Sequence, residues 1–85
     1  MEYELYVIYD VADEKYSFPM AHSNDAVAMR FIANQASDSM SLFNTHAQDY
    51  ILYKVGIFNL VTGELTSYPN PERVCSAADL VRKEK

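Results

Sequence analysis

A chain of 85 residues that is 49% hydrophobic and 13% aromatic makes one folded domain and leaves no room for a second core. A net charge of −5 argues against coating nucleic acid through its phosphates, and no apolar run approaches the ~20 residues of a membrane span, so no membrane partner is expected. The single cysteine, Cys75, excludes an intrachain disulfide and fits a reducing, cytoplasmic setting.

Glu2 to Asp10 reads as a strand rich in Tyr, Leu, Val and Ile. Period two places Tyr3, Leu5, Val7 and Tyr9 on one face and Glu4, Tyr6, Ile8 and Asp10 on the other. A polar turn follows, and Lys15 to Met20 returns as a short second strand broken by Pro19. Ser23-Asn24-Asp25 opens a helix over Ala26 to Ala36, since Ser or Asn caps free amides and Asp25 suits the positive end of the helix dipole. Its expected inward stripe is Ala28, Phe31, Ile32 and Gln35, with Arg30 and Asn34 facing out.

Ser37 to Asp49 is a long polar connection, and a helical turn from Thr45 to Asp49, capped by Thr45, would shorten it. Tyr50 to Phe58 is the second strong strand, with Ile51, Tyr53, Val55 and Ile57 on one side and Tyr50, Leu52, Lys54, Gly56 and Phe58 on the other. A hairpin loop over Asn59 to Gly63 needs Gly63 left-handed and leads to a return strand, Glu64 to Tyr68, ended by Pro69-Asn70-Pro71. Ser76-x-x-Asp79 is a capping box that starts a short C-terminal helix.

This order predicts an α+β fold: a small, mostly antiparallel sheet with one main helix packed on a face and a short C-terminal helix. Residues 1–69 form the core domain, and residues 70–85 a tail carrying the last helix. Both strong strands are apolar on both faces, and one helix covers only one of them. The other face calls for a partner subunit, the C-terminal helix or a ligand. A domain this small buries only about 60–65% of its unfolded surface, so a homo-oligomer is expected.

Residues selected for chemistry are few. Cys75 reads as a small packing residue, and His22 and His46 as local hydrogen-bonding residues. The acidic turn Asp10, Asp13, Glu14 lacks the ligand count and central glycine of a calcium loop. Two glycines, Gly56 and Gly63, cannot build a phosphate-cradling loop. No catalytic residue, metal or cofactor is therefore assigned, and the chain is expected to bind rather than to catalyse.

The tyrosines offer one sharper reading. Aromatic side chains on an open sheet face stack on the bases of single-stranded nucleic acid. Tyr3, Tyr9, Tyr50 and Tyr53 lie on the two strong strands, Arg30 and Lys54 would add charge, and the tail brings Arg73, Arg82, Lys83 and Lys85. Strand tyrosines also serve as core or subunit packing, because Tyr suits a pleated surface.

The motifs occur in a familiar order. Tyr6-Val7-Ile8-Tyr9-Asp10 is followed by Tyr16-x-Phe18-Pro19 and by Asn24-Asp25-Ala26-Val27-Ala28-Met29-Arg30-Phe31. His46, Asp49-Tyr50-x-Leu52-Tyr53-x-Val55-Gly56-x-Phe58, Thr62-Gly63 and a proline-bearing tail with Val74 complete the series. Over roughly residues 5–75 the chain resembles the small nonstructural protein of gokushovirus-type microviruses, the tailless single-stranded DNA phages. It departs from that pattern at Ala47, where a proline is expected, and at Asn59, where an aspartate is expected. The resemblance implies a protein of the host cytoplasm, absent from the virion, that acts in viral single-stranded DNA synthesis or packaging. Its expected partners are phage or host replication and packaging proteins. Direct binding of single-stranded DNA is the alternative.

Overall fold

The computed structural model describes residues 1–80; Arg82, Lys83 and Lys85 lie outside them. The strands are β1 (Glu2–Asp10), β2 (Lys15–Tyr16), β3 (Met20–His22), β4 (Tyr50–Asn59) and β5 (Leu65–Ser76). The helices are α1 (Asp25–Ala36) and the single turn α2 (Leu42–Thr45), and 3-10 turns span Ala47–Asp49 and Ala77–Leu80. All strand pairs are antiparallel in the order β2-β1-β4-β5, with β3 beside β2 along the same edge of β1. The fold is α+β, as the element order predicts.

One face of this sheet makes the core. Tyr6, Leu52 and Cys75 are buried there against Ala28 and Ile32 of α1 and against Ala77, with Ile8, Phe43, Tyr50 and Leu80 packed around them. Helix α1 starts where the sequence indicates: the Asn24 side chain accepts a hydrogen bond from the Val27 amide at 2.9 Å. Its buried line is Ala28, Ile32 and Ala36, whereas the expected inward residues Phe31 and Gln35 are exposed. The i, i+4 row that contains two alanines lets the helix approach the sheet closely, and Phe31 instead leans on the His22 ring 5.5 Å away.

The connection from 37 to 49 also differs from expectation. The expected turn is present as the 3-10 turn Ala47–Asp49, without a side-chain cap from Thr45, and it is preceded by the turn Leu42–Thr45, which the Ser41 side chain caps by accepting from the Phe43 amide at 3.0 Å. The Asn44 side chain donates to the Ala36 carbonyl at 2.7 Å, which ties α2 to the otherwise free C-terminal end of α1. The expected return strand 15–20 is two short strands instead, parted at Ser17–Pro19. The Ser17 hydroxyl accepts there from the Ile8 amide at 2.9 Å.

β5 runs on through Pro69 and Pro71 to Ser76, where the expected return strand stops at Tyr68. The prolines are tolerated because β5 is an edge strand and its pairing skips from Ser67 to Glu72 opposite Val55. The same place is irregular on the other side, since Leu5 pairs with Gly56 but Tyr6 pairs with Lys54. Val55 is therefore an extra residue, a β-bulge, and it reverses the faces of all that follows in β4. Gly56 and Phe58 join Tyr53 on one face and Ile57 joins Leu52 on the other, which corrects the strict alternation read from the sequence. The hairpin is as expected: Gly63 has φ +78°, and the Asn59 carboxamide accepts from the Val61 and Thr62 amides.

Candidate functional site

The face of the sheet turned away from the helices is the candidate site. Direct cross-strand partners share a face. Leu5, Val7 and Tyr9 of β1 therefore lie with Gly56, Tyr53 and Ile51 of β4, and Tyr3 with Phe58. Tyr16 joins through Tyr9, Ala21 through Leu5, and Leu65, Ser67, Arg73 and Ser76 through β4. None of these residues belongs to the helix-side core. The C-terminal turn Ala77–Leu80 packs with α1 on the opposite side, so among the described residues no helix covers this face.

At its centre stand three tyrosines. The Tyr9 and Tyr16 rings are 4.7 Å apart between centroids, Tyr16 and Tyr53 6.1 Å, and Tyr9 and Tyr53 6.5 Å. These tilted and edge-on pairs lie in the range where aromatic quadrupoles attract, so the cluster holds its own shape. Tyr16 is 52% exposed, Tyr9 and Tyr53 are half-buried, and Val7 beneath them is buried. Arg73 pairs directly with Tyr53. Its guanidinium meets the Asp79 carboxylate at 3.7 Å with both groups exposed, a contact weak enough to exchange.

The acids lie elsewhere. Every strand carboxylate within the paired registers, Glu2, Glu4, Asp10 and Glu72, pairs onto the helix side or its continuation. Strand alternation thus keeps these four carboxylates off the tyrosine face, while Asp79 reaches its edge at Arg73.

Other residues nominated from the sequence are dispersed. Tyr3 is on the open face but at its far end, beside Phe58. Tyr50 is on the helix side, with its ring edge-on to Phe43 at 5.0 Å. Burial, then Asp10, Asp49 and Asp13, push the Tyr50 hydroxyl above its usual range. Lys54 is also on the helix side: its ammonium lies 3.2 Å from Glu4 Oε1 and 3.5 Å from Asp25 Oδ1. Glu4 Oε1 is buried and receives no aligned hydrogen bond, so this contact is a plain ion pair. It leads the causes that hold the Lys54 pKa above its ordinary value. Arg30 is exposed on the outer side of α1. Tyr16 was missed by the sequence reading because a two-residue strand carries no periodicity; its only signal is the Tyr9-to-Tyr16 spacing across a tight polar turn.

A cleft of about 380 Å³ is lined by Asn44, Thr45, His46, Gln48 and Asp49. Thr45 Oγ1 donates to the Ser41 carbonyl at 3.2 Å and meets His46 Nδ1 at 2.9 Å. Both contacts close the helical turn that ends at Thr45. Cys75 is buried, and burial pushes its thiol up, the opposite of a reactive thiolate. Among the described residues no group of three or more His, Cys, Asp or Glu side chains is placed to hold a metal ion, and no helix is long and apolar enough to cross a membrane.

An open, aromatic-centred face on a small antiparallel sheet defines a class: an α+β domain whose distinguishing surface is a sheet face. The chain belongs to the Phage ORF5 protein family, whose family model matches residues 3–80. It is thus a bacteriophage protein, in keeping with the resemblance carried by its motifs. No match was found among curated proteins, and none among solved structures.

Proposed function

We propose that this phage protein is a non-catalytic binding protein of the infected cell, working in viral single-stranded DNA synthesis or packaging and not retained in the virion. Its tyrosine face is the binding surface, and single-stranded DNA is the ligand. The observation that carries this is the sorting of strand side chains: Tyr9, Tyr16 and Tyr53 cluster on a face whose paired registers carry Arg73, itself held 3.7 Å from Asp79, and no strand carboxylate. An acidic protein can hold a polyanion there because contact comes from base stacking, about 1–3 kcal/mol per base, with little phosphate neutralisation. The gokushovirus-type resemblance supports the same setting.

A second reading keeps the face and changes the occupant. Leu5, Val7, Ile51, Phe58 and Leu65 flank the tyrosines, and Leu65 is 64% exposed. Such a surface also suits a protein, either another copy of this chain or a replication or packaging protein.

Fluorescence anisotropy of a labelled single-stranded oligonucleotide, titrated at low and moderate salt with duplex as control, decides between them. The expected result is preference for the single strand, a shallow salt dependence, and roughly tenfold weaker binding by Tyr16→Ala. Tyr16 is exposed enough that this variant keeps its fold. No binding at low salt would transfer the face to protein contacts, and sedimentation of the free protein would then show whether the partner is a second copy.

A further inference from the structure

On the opposite side of the sheet, the helices leave part of the core surface open. Beyond the end of α1, the face continues as Ile8 and Tyr50, with Phe43 of α2 edge-on to the Tyr50 ring. A groove of about 310 Å³ opens there, lined by Ile8, Phe43 and Tyr50, by Asp10, Asp13 and Lys15, and at the β2 edge by Tyr16 and Ser17. A second hollow of about 350 Å³ lies against the same Phe43–Tyr50 pair and is bordered by Gln35, Ser41 and Leu42. Its lining includes one strongly exposed apolar side chain, Leu42 at 58%. The strip is thus apolar at one end and acidic at the other.

Two carboxylates, Asp10 and Asp13, line the acidic end of the groove, and a third, Asp49, lines the neighbouring cleft. Asp10 pairs with Tyr50 across β1 and β4, Asp49 precedes Tyr50, and Asp13 sits in the turn above. All three lie close enough to the Tyr50 hydroxyl to disfavour its ionisation. Among the described residues none of the three is ion-paired, since the salt bridges found involve only Lys54 and Arg73. Lys15 is the one described cation at the rim, so the groove keeps an excess of negative charge over an aromatic floor.

We propose that this groove docks a basic, apolar-flanked segment of a partner protein: a Leu- or Val-type side chain on the Phe43–Tyr50 floor, and an adjacent Arg or Lys among Asp10, Asp13 and Asp49. The argument is charge complementarity joined to an apolar floor. A cation alone gains little from exposed carboxylates, and an apolar side chain alone has no reason to prefer this end of the sheet. The combination selects a segment carrying both. Nucleic acid is disfavoured at the same groove by its own phosphates. The groove adjoins the tyrosine face at Tyr16, which lines both, and this proposal does not depend on what occupies that face.

The test is an amide chemical-shift titration of the full chain with a nine-residue amidated peptide alternating leucine and arginine. Two controls have glutamate in place of each arginine, or lysine at every position. Expected are saturable shifts confined to residues around Ile8, Lys15, Phe43 and Tyr50, with neither control matching the affinity. The Asp13→Asn, Asp49→Asn double variant should bind about three- to fivefold more weakly and keep its spectrum elsewhere. No shifts, shifts centred on Tyr9 and Tyr53, equal binding of either control, or undiminished binding by the double variant would each overturn the proposal.

Discussion

Tyr6 concentrates much of what holds this small domain together. It is the largest fully buried side chain, yet it carries a hydroxyl, which donates to Asp25 Oδ1 at 2.6 Å. Asp25 is the first residue of α1, so one bond ties the central strand to the helix start and places a carboxylate at the positive end of the helix dipole. Asp25 in turn lies 3.5 Å from the ammonium of Lys54, so strands β1 and β4 and the helix meet at one charged knot. Hydrogen bonds to charged groups contribute about 1.5–3 kcal/mol, and Asp25 is open enough to regain water when its partner is lost. Tyr6→Phe should therefore cost about 1.5 kcal/mol and lower the thermal midpoint by roughly 6–12 °C, read by circular dichroism. An unchanged midpoint would mean the hydroxyl is not held by Asp25. The sequence marks Tyr6 only as a strand residue on the face opposite Tyr3. That Asp25, nineteen positions away, supplies its partner follows from the docking of α1 and from no local pattern.

At the scale of elements, the bulge at Val55 has the widest consequences. It moves Gly56 and Phe58 onto the tyrosine face and lets β5 pass two prolines opposite it. It also brings the β5 backbone very close: a Cβ at Gly56 would lie 2.4 Å from the Thr66 carbonyl oxygen and 3.2 Å from the Ser67 Cα. Backbone cannot turn aside as a flexible side chain does. Gly56→Ala should thus push β5 outward, at a cost of about 1–3 kcal/mol in a urea titration, with the loss of protection strongest for amides of β5. A neutral Gly56→Ala would show that β4 and β5 are not so tightly apposed. The turn elements were readable where their own side chains close them, as with Asn24, Gly63 and the reciprocal Ser76–Asp79 bonds at 3.0 and 3.3 Å. The bulge was not, because alternation in β4 reads equally well in either register when both faces are apolar.

For the whole molecule, ionisable groups respond to alkali in one direction. Burial raises Cys75 above 9.0 and Tyr50 and Tyr68 above 10.0; burial, with the bond to Asp25, raises Tyr6 well above 10.0; the ion pair with Glu4 raises Lys54 above 10.5. In each case the folded state holds its proton more tightly than the unfolded chain. Stability is then fully present below these ordinary values and is lost as pH rises through them. The urea midpoint should stay level from neutral pH to about 9 and fall steadily above it, and Tyr6→Phe should flatten part of that fall. A midpoint that rises above pH 10 would contradict the burial of these groups.

By itself the sequence determined the class and most of the parts: an α+β chain, the two long strands, the capped helix, the glycine hairpin and the phage relationship carried by ordered motifs. These are local properties, set by periodicity, capping side chains and spacing along the chain. Tertiary structure alone decided which face α1 covers, where β4 slips by one residue, and that Tyr16 completes a cluster with Tyr9 and Tyr53. Those outcomes depend on long-range register and on small residues that admit a helix to one side of a sheet. With both faces apolar, no short-range pattern distinguishes the side that will be buried from the side left open.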